Sequence, residues 1–270
     1  LLAELALARG GLAGEHRLVQ PLDLLHRIAR LGQLWPLGQT AGLLAHEVGM
    51  RVRGDWDQIV TNRWLTSFSR TRTITDIPLR TIAGWELIVG MDHGTPGSGR
   101  QAAMLVAVKD GGTTRPRVAW LDEATEEGFT RPEDDARNII DMLRRNGLSY
   151  DNVDKWVGDV PAVSETLAVV KSNEEIRKHL ALQLGRRLGT MKRIDLPVKH
   201  KSSMTDGMRT INTIMGREEN GVPDGRMTPR CVKFAEACES FRGNMKDPLK
   251  DVLDGGRYAM ERGISSQVAV

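Results

Sequence analysis

The stretch Glu86–Gly94, ELIVGMDHG, constrains this chain more than any other. Leu87-Ile88-Val89 is a short apolar run of the kind that forms a buried strand. The run ends in Gly90-Met91-Asp92-His93-Gly94, which sets a carboxylate at the strand's tip. An ionised Asp there needs water, a cation or strong hydrogen-bond donors. One role for it is purely local, since an Asp that starts a turn bonds the amides that follow. The rest of the chain decides between that role and a chemical one.

From Trp85 the pattern is regular. Gln101–Lys109 (QAAMLVAVK) and Arg117–Asp122 (RVAWLD) read as second and third strands. The tight connection Asp110-Gly111-Gly112 makes them an antiparallel hairpin. Pro132–Asn146 reads as a helix, with acids in its first turn, arginines in its last and Gly147 as its stop. Val153–Val157 is a fourth strand ending at Gly158-Asp159. Glu174–Leu188 is helical, Lys192–Val198 a fifth strand and Ser203–Met215 an amphipathic helix carrying Met208, Ile211 and Met215 on one face. Lys250–Arg262 closes the pattern as a helix. Three strands, a crossover helix and a fourth strand fit a mixed sheet flanked by helices. Strands one and four then lie side by side and parallel, and Asp92 and Asp159 share one sheet edge.

Upstream, residues 1–50 are expected to be mainly helical, with Leu1–Ala8 and Pro21–Leu31 at helical spacing, and carry no visible chemistry. Residues 51–84 are mixed. Their arginines (Arg51, Arg53, Arg63, Arg70, Arg72, Arg80) suit a solvated surface or a linker that touches phosphate. The expected organisation is therefore an N-terminal helical and linker segment, residues 1–84, and a second domain, residues 85–270. The sequence starts without Met, as expected of a fragment or processed product.

Several function classes are excluded at this point. Hydrophobic residues make up 40% and charged residues 27% of the chain, which suits a sizeable core rather than disorder. The formal net charge of +3 is compatible with a polyanionic partner without requiring one. Cys231, Cys238 and the scattered histidines have no zinc spacing, and a reduced cytosolic setting is expected. No apolar run is long enough to cross a membrane. No serine, cysteine or histidine elbow motif is present.

What remains is acidic. Asp251 and Asp254 lie three apart, so both face one side of the closing helix. Like charges so placed repel unless a cation or a base sits between them, and Lys250 and Arg257 are at hand to neutralise them. With Asp92 and Asp159 at strand tips, the set reads as a carboxylate cage for hard divalent ions, Mg²⁺ or Mn²⁺ rather than zinc. Two such ions ~4 Å apart hydrolyse phosphodiesters without a nucleophilic side chain.

The runs VGMDHG, WVGDVP and DPLKDVLDGGRYAM resemble the nuclease domain of phage terminase large subunits, the DNA-packaging motors of tailed phages. Asp251-x-x-Asp254-Gly-Gly-Arg257-Tyr258-Ala259 is similar to that family's acidic close, with Gly255 where the family usually has alanine. MTPRCVKFAEACESFRG resembles the segment preceding that helix. The resemblance covers roughly residues 85–262. It implies an α/β, ribonuclease H-like fold with a mixed five-stranded sheet, and metal-dependent cutting of double-stranded DNA during genome packaging. Carried onto this chain, Asp92, Asp159 and Asp254 form the catalytic set, and Asp251 joins them as a metal ligand. Asp251 and Asp254 both fit the closing position, Asp254 the better. Mg²⁺ or Mn²⁺ is the implied cofactor, two ions with DNA bound. His93, Arg100, Lys199, His200 and Lys201 are expected DNA contacts. Implied partners of the intact protein are the portal and the small terminase subunit, in the host cytoplasm, with no membrane.

The family's motor carries a Walker A loop, and none is found here. Gly94–Gln101 has the G-x-x-x-x-G frame, but Arg100 and Gln101 replace the lysine and the hydroxyl, and a strand follows instead of a helix. Three other readings compete. The closing pattern is shared with Holliday-junction resolvases. Met91-Asp92-His93-Gly94-Thr95 resembles the phosphate loop of actin-like ATPases and sugar kinases, which need a second lobe and a second loop that this sequence does not display. A non-catalytic DNA-binding packaging module would use the acids as caps.

Overall fold

The computed structural model describes residues 63–93, 101–126, 130–159, 173–197, 203–244 and 246–265. The helices expected within residues 1–50, together with Arg51, Arg53, Arg100, Lys199, His200 and Lys201, lie outside the described residues.

The apolar run around Ile88 is the central strand, β1 (Glu86–Asp92). It pairs antiparallel with β2 (Gln101–Lys109), which pairs antiparallel with β3 (Arg117–Glu126). Helix α1 (Pro132–Arg145) then crosses over to β4 (Lys155–Gly158), which lies parallel to β1 with Met91 opposite Gly158. Next come α2 (Asn173–Gln183), β5 (Ile194–Asp195) and α3 (Ser203–Gly216). A small hairpin of β6 (Glu218–Glu219) and β7 (Val222–Pro223) leads to β8 (Gly225–Met227). Helices α4 (Val232–Ser240) and α5 (Leu249–Ser265) follow. The main sheet runs β5-β4-β1-β2-β3-β8. An antiparallel meander with the parallel strands β4 and β5 added on the far side of β1 is the ribonuclease H-like arrangement.

The sheet has six strands rather than five, because β8 adds in parallel to β3. At three residues it is too short to show alternation. The expected fifth strand shrinks to two residues, where Ile194 is buried while Leu196 is 60% exposed. Helix α2 stops at Gln183, short of Leu188. Gly185 takes a left-handed φ of 63°, and the Arg186 N–H bonds the Ala181 carbonyl at 2.8 Å. That is a glycine C-terminal cap which a purely apolar count runs through.

Helices cover both faces, so β1 and β2 are almost wholly apolar, and alternate residues serve different cores. Ile88, Met104, Val106 and Trp120 pack with α3, α4 and α5. Val89, Met91, Leu105 and Leu121 pack with α1 and α2. Leu65 and Phe68, upstream of the sheet, belong to the first of these cores. Two of the arginines nearby, Arg63 and Arg72, brace backbone carbonyls, while Arg70 and Arg80 are exposed. Arg63 is 7% exposed and donates to the carbonyls of Thr66 and Phe68. Arg72 donates to those of Ser67 and Met215, and Arg70 pairs with both carboxylate oxygens of Glu239.

Helix α5 runs back along β1 through small residues four apart, Gly255, Ala259 and Gly263. A Cβ on Gly90 would lie 2.1 Å from the Gly255 carbonyl oxygen and 2.8 Å from Ala259 Cβ. At the other end, the Gly112 N–H bonds the Ile264 carbonyl at 2.7 Å. Strand and helix therefore meet backbone to backbone, and the contact fixes how far α5 slides along β1.

This geometry separates two substitutions. Gly90→Ala drives the helix off the strand and should destabilise by about 1–3 kcal/mol or more, lowering the melting temperature by roughly 2–4 °C per kcal/mol. Gly255→Ala meets its nearest atoms, the Gly90 carbonyl oxygen and Met104 Cγ, at 3.4 Å, an ordinary contact. It should leave stability unchanged or raise it by about 1 kcal/mol through helix propensity. Thermal denaturation of the two variants checks both signs.

Candidate metal and catalytic site

Side-chain alternation along β1 aims Asp92 at the α5 face, the side that takes Ile88. Asp159 follows the tip of β4, and its N–H bonds the Met91 carbonyl at 3.1 Å, so the two strand ends run abreast. Helix α5 brings its first turns to the same edge. Its start is set by Asp247, whose Oδ1 accepts the Leu249 N–H at 2.9 Å.

Three basic or hydroxyl side chains of α5 join the acids. The Lys250 ammonium lies 2.5 Å from Asp254 Oδ2 and 3.9 Å from both Asp92 Oδ2 and Asp251 Oδ1. Arg257 donates Nε and Nη2 to Asp254 Oδ1 at 3.0 and 2.7 Å. The Tyr258 hydroxyl donates to Asp159 Oδ2 at 3.2 Å, with the Arg257 guanidinium 4.5 Å from the centre of its ring. Asp92, Asp159, Asp251 and Asp254 thus belong to one connected cluster. Asp92 and Asp254 are buried, and Asp159 and Asp251 are half-buried.

The electrostatics follow from that crowding. Burial works against the Lys250 ammonium, but Asp254, Asp92 and Asp251 more than offset it and hold its pKa above the ordinary lysine value. Burial, reinforced by Asp254, Asp92 and Asp159, pushes the Tyr258 phenol well above its ordinary range, so it stays a donor.

The donor set is wholly carboxylate, which suits a hard divalent ion such as Mg²⁺ or Mn²⁺. The seat also attracts a cation, because the Lys250 ammonium already takes it. Among the described residues, no three His, Cys, Asp or Glu side chains are grouped so as to hold a metal ion as they stand. The cluster is closed around the ammonium.

His93 points the other way. It is 2% exposed, and its Nε2 pairs with Asn173 Oδ1 at 2.7 Å. Asn173, the first residue of α2, also donates Nδ2 to the Gly158 carbonyl at 2.8 Å. His93 and Asn173 clip the tips of β1 and β4 together. Asn173 carried no signal in the sequence. Tyr258 was visible only as a letter of the closing motif, although its place one turn after Asp254 marks it as a neighbour.

Two other buried acids, Asp122 and Glu123, serve the fold. Asp122 receives Arg145 at 2.7 and 2.8 Å and Asn146 at 2.5 Å. Glu123 caps α4 through the N–H groups of Lys233 and Phe234 at 2.6 and 2.8 Å. The Cys231 and Cys238 thiols lie in the core, where burial pushes their pKa well up.

Fold and site together define a ribonuclease H-like α/β fold with an acidic cluster at the tips of its first and fourth strands. No family model and no curated protein matches the chain. Among solved structures, the P22 large terminase nuclease domain is similar over 75% of this chain and 93% of its own, with 12% identity and a TM-score of 0.47. That overlap is too loose to transfer residues.

The chain has two tyrosines, Tyr150 and Tyr258, and burial raises both phenols above the ordinary value. In the unfolded chain they titrate near about 10. Because the folded values are higher, the unfolded state releases its protons first. This contribution to stability is therefore complete below about pH 10 and lost as the pH climbs. Tyrosinate absorbance of the native protein should therefore rise at higher pH than that of the denatured chain, which titrates normally.

Proposed function

We propose that this chain is a metal-dependent endonuclease of the terminase large-subunit kind, cutting double-stranded DNA during phage genome packaging in the host cytoplasm. The observation that supports it is the meeting of Asp92, Asp159, Asp251 and Asp254 at one sheet edge, drawn from two strand tips and one helix. Asp92, Asp159 and Asp254 would hold Mg²⁺ or Mn²⁺, with Asp251 at the rim. Bound there, such ions activate a water and stabilise the leaving oxygen of a phosphodiester.

The chain's own part is orientation. Arg257 fixes Asp254 by one carboxylate oxygen and leaves the other turned toward Asp92 and Lys250. Tyr258 restrains Asp159 in the same way. The His93–Asn173–Gly158 clip holds the two strand tips in register from the far face. Arg100, Lys199, His200 and Lys201 are proposed as phosphate contacts, which position DNA without reading its sequence. The portal and small terminase subunit are the proposed partners of the intact protein.

Incubation with supercoiled plasmid and Mn²⁺ tests this. Wild type should nick and linearise it, while Asp92→Asn and Asp159→Asn fall to the enzyme-free background with unchanged circular dichroism. Equal cutting by all three proteins sinks the reading. Preference for four-way junctions over linear duplex would move it to a resolvase.

A further inference from the structure

The position of Lys250 is unfavourable by local rules. It occupies the second residue of α5, where the helix dipole repels a cation. Its side chain is only 19% exposed, so the ammonium has given up most of its water. Three acids account for it: Asp254 at 2.5 Å, and Asp92 and Asp251 at 3.9 Å each. These come from both β1 and α5, so the ammonium ties strand tip to helix. The two oxygens of Asp254 differ in their bonds. Oδ1 receives two N–H groups from the nearly buried Arg257, whereas Oδ2 receives the Lys250 ammonium.

We propose that Lys250 is the site's resident counter-ion, seated where a divalent cation must sit, so that metal binding requires its ammonium to swing out. Divalent metal and ammonium then compete for Asp92 and Asp254 Oδ2. With metal absent, Lys250 prevents two buried carboxylates from repelling each other and keeps α5 docked at its N-terminal end. With metal present, the released lysine stays tethered at the rim. This inference rests on the metal reading above.

Calorimetric titration of Mn²⁺ into DNA-free protein tests it, using wild type, Lys250→Met and Lys250→Arg. Lys250→Met keeps an apolar stem of similar shape without the charge. It should bind Mn²⁺ at least about tenfold more tightly than wild type. It should also melt lower in metal-free buffer and gain more from added Mn²⁺ than wild type gains. Lys250→Arg should stay near wild type. Should Lys250→Met be unstable without metal, Lys250→Gln is titrated in its place, with the same expectation. Mn²⁺ affinity equal to or weaker than wild type in the uncharged variants overturns the counter-ion role while leaving the metal reading intact. Absence of Mn²⁺ binding in every protein, variants included, overturns the metal reading itself and this inference with it.

Discussion

The close contact between Gly90 and Gly255 is the constraint on which the rest of the structure depends. Nothing larger than hydrogen fits on Gly90, so the backbones of β1 and α5 approach directly. This matters for chemistry because α5 carries two of the acids and β1 a third. If the helix slid by one turn, about 5.4 Å, it would carry Asp251 and Asp254 away from Asp92. Tyr258, which reaches across to the tip of β4, lies on the same helix and moves with it. One contact between small residues thereby sets the distances among groups far apart in sequence.

The acidic cluster is held by opposing forces rather than by a single strong bond. Asp92, Asp251 and Asp254 meet Lys250 or Arg257, Asp159 is held by Tyr258, and these acids are buried or half-buried. Taking such charges from water is costly, and their mutual attraction repays it only when the geometry is good. Here it is divided between fixed and exchangeable bonds. The Arg257–Asp254 pair is almost fully enclosed and two-pronged, which suits a permanent strut. The contacts of Lys250 with Asp92 and Asp251 are longer and less enclosed. Asp122 and Glu123 offer a contrast: they are equally buried, but arginine and helix amides complete them, and they serve the fold.

Much of this was legible in the sequence, for reasons that differ by element. The β2–β3 hairpin, α1 and α3 announce themselves by length and periodicity, and the parallel pairing of β1 with β4 follows from the crossover helix between them. Short pieces do not: β8 and the β6–β7 hairpin have two or three residues each, below the reach of any period, and β5 was read longer than its two residues. The acids were readable because a carboxylate at the tip of an apolar strand is chemically unusual. Lys250 and Arg257 were readable as neutralisers from helical spacing. The Tyr258–Asp159 and His93–Asn173 bonds were not, because each joins segments that only the folded sheet makes neighbours. The same parity that sends Asp92 toward α5 sends His93 to the opposite face, where its ring becomes a buried clip.

The closing helix has a consequence for biosynthesis. A ribosome makes Asp92 and Asp159 long before it makes Asp251 and Asp254, and the small-residue seam that anchors them is threaded last. A nascent chain halted ahead of residue 249 has both strand-borne acids but neither the helical pair nor the helix that carries it. The acidic set is therefore complete only in a chain that has been translated through its final described helix.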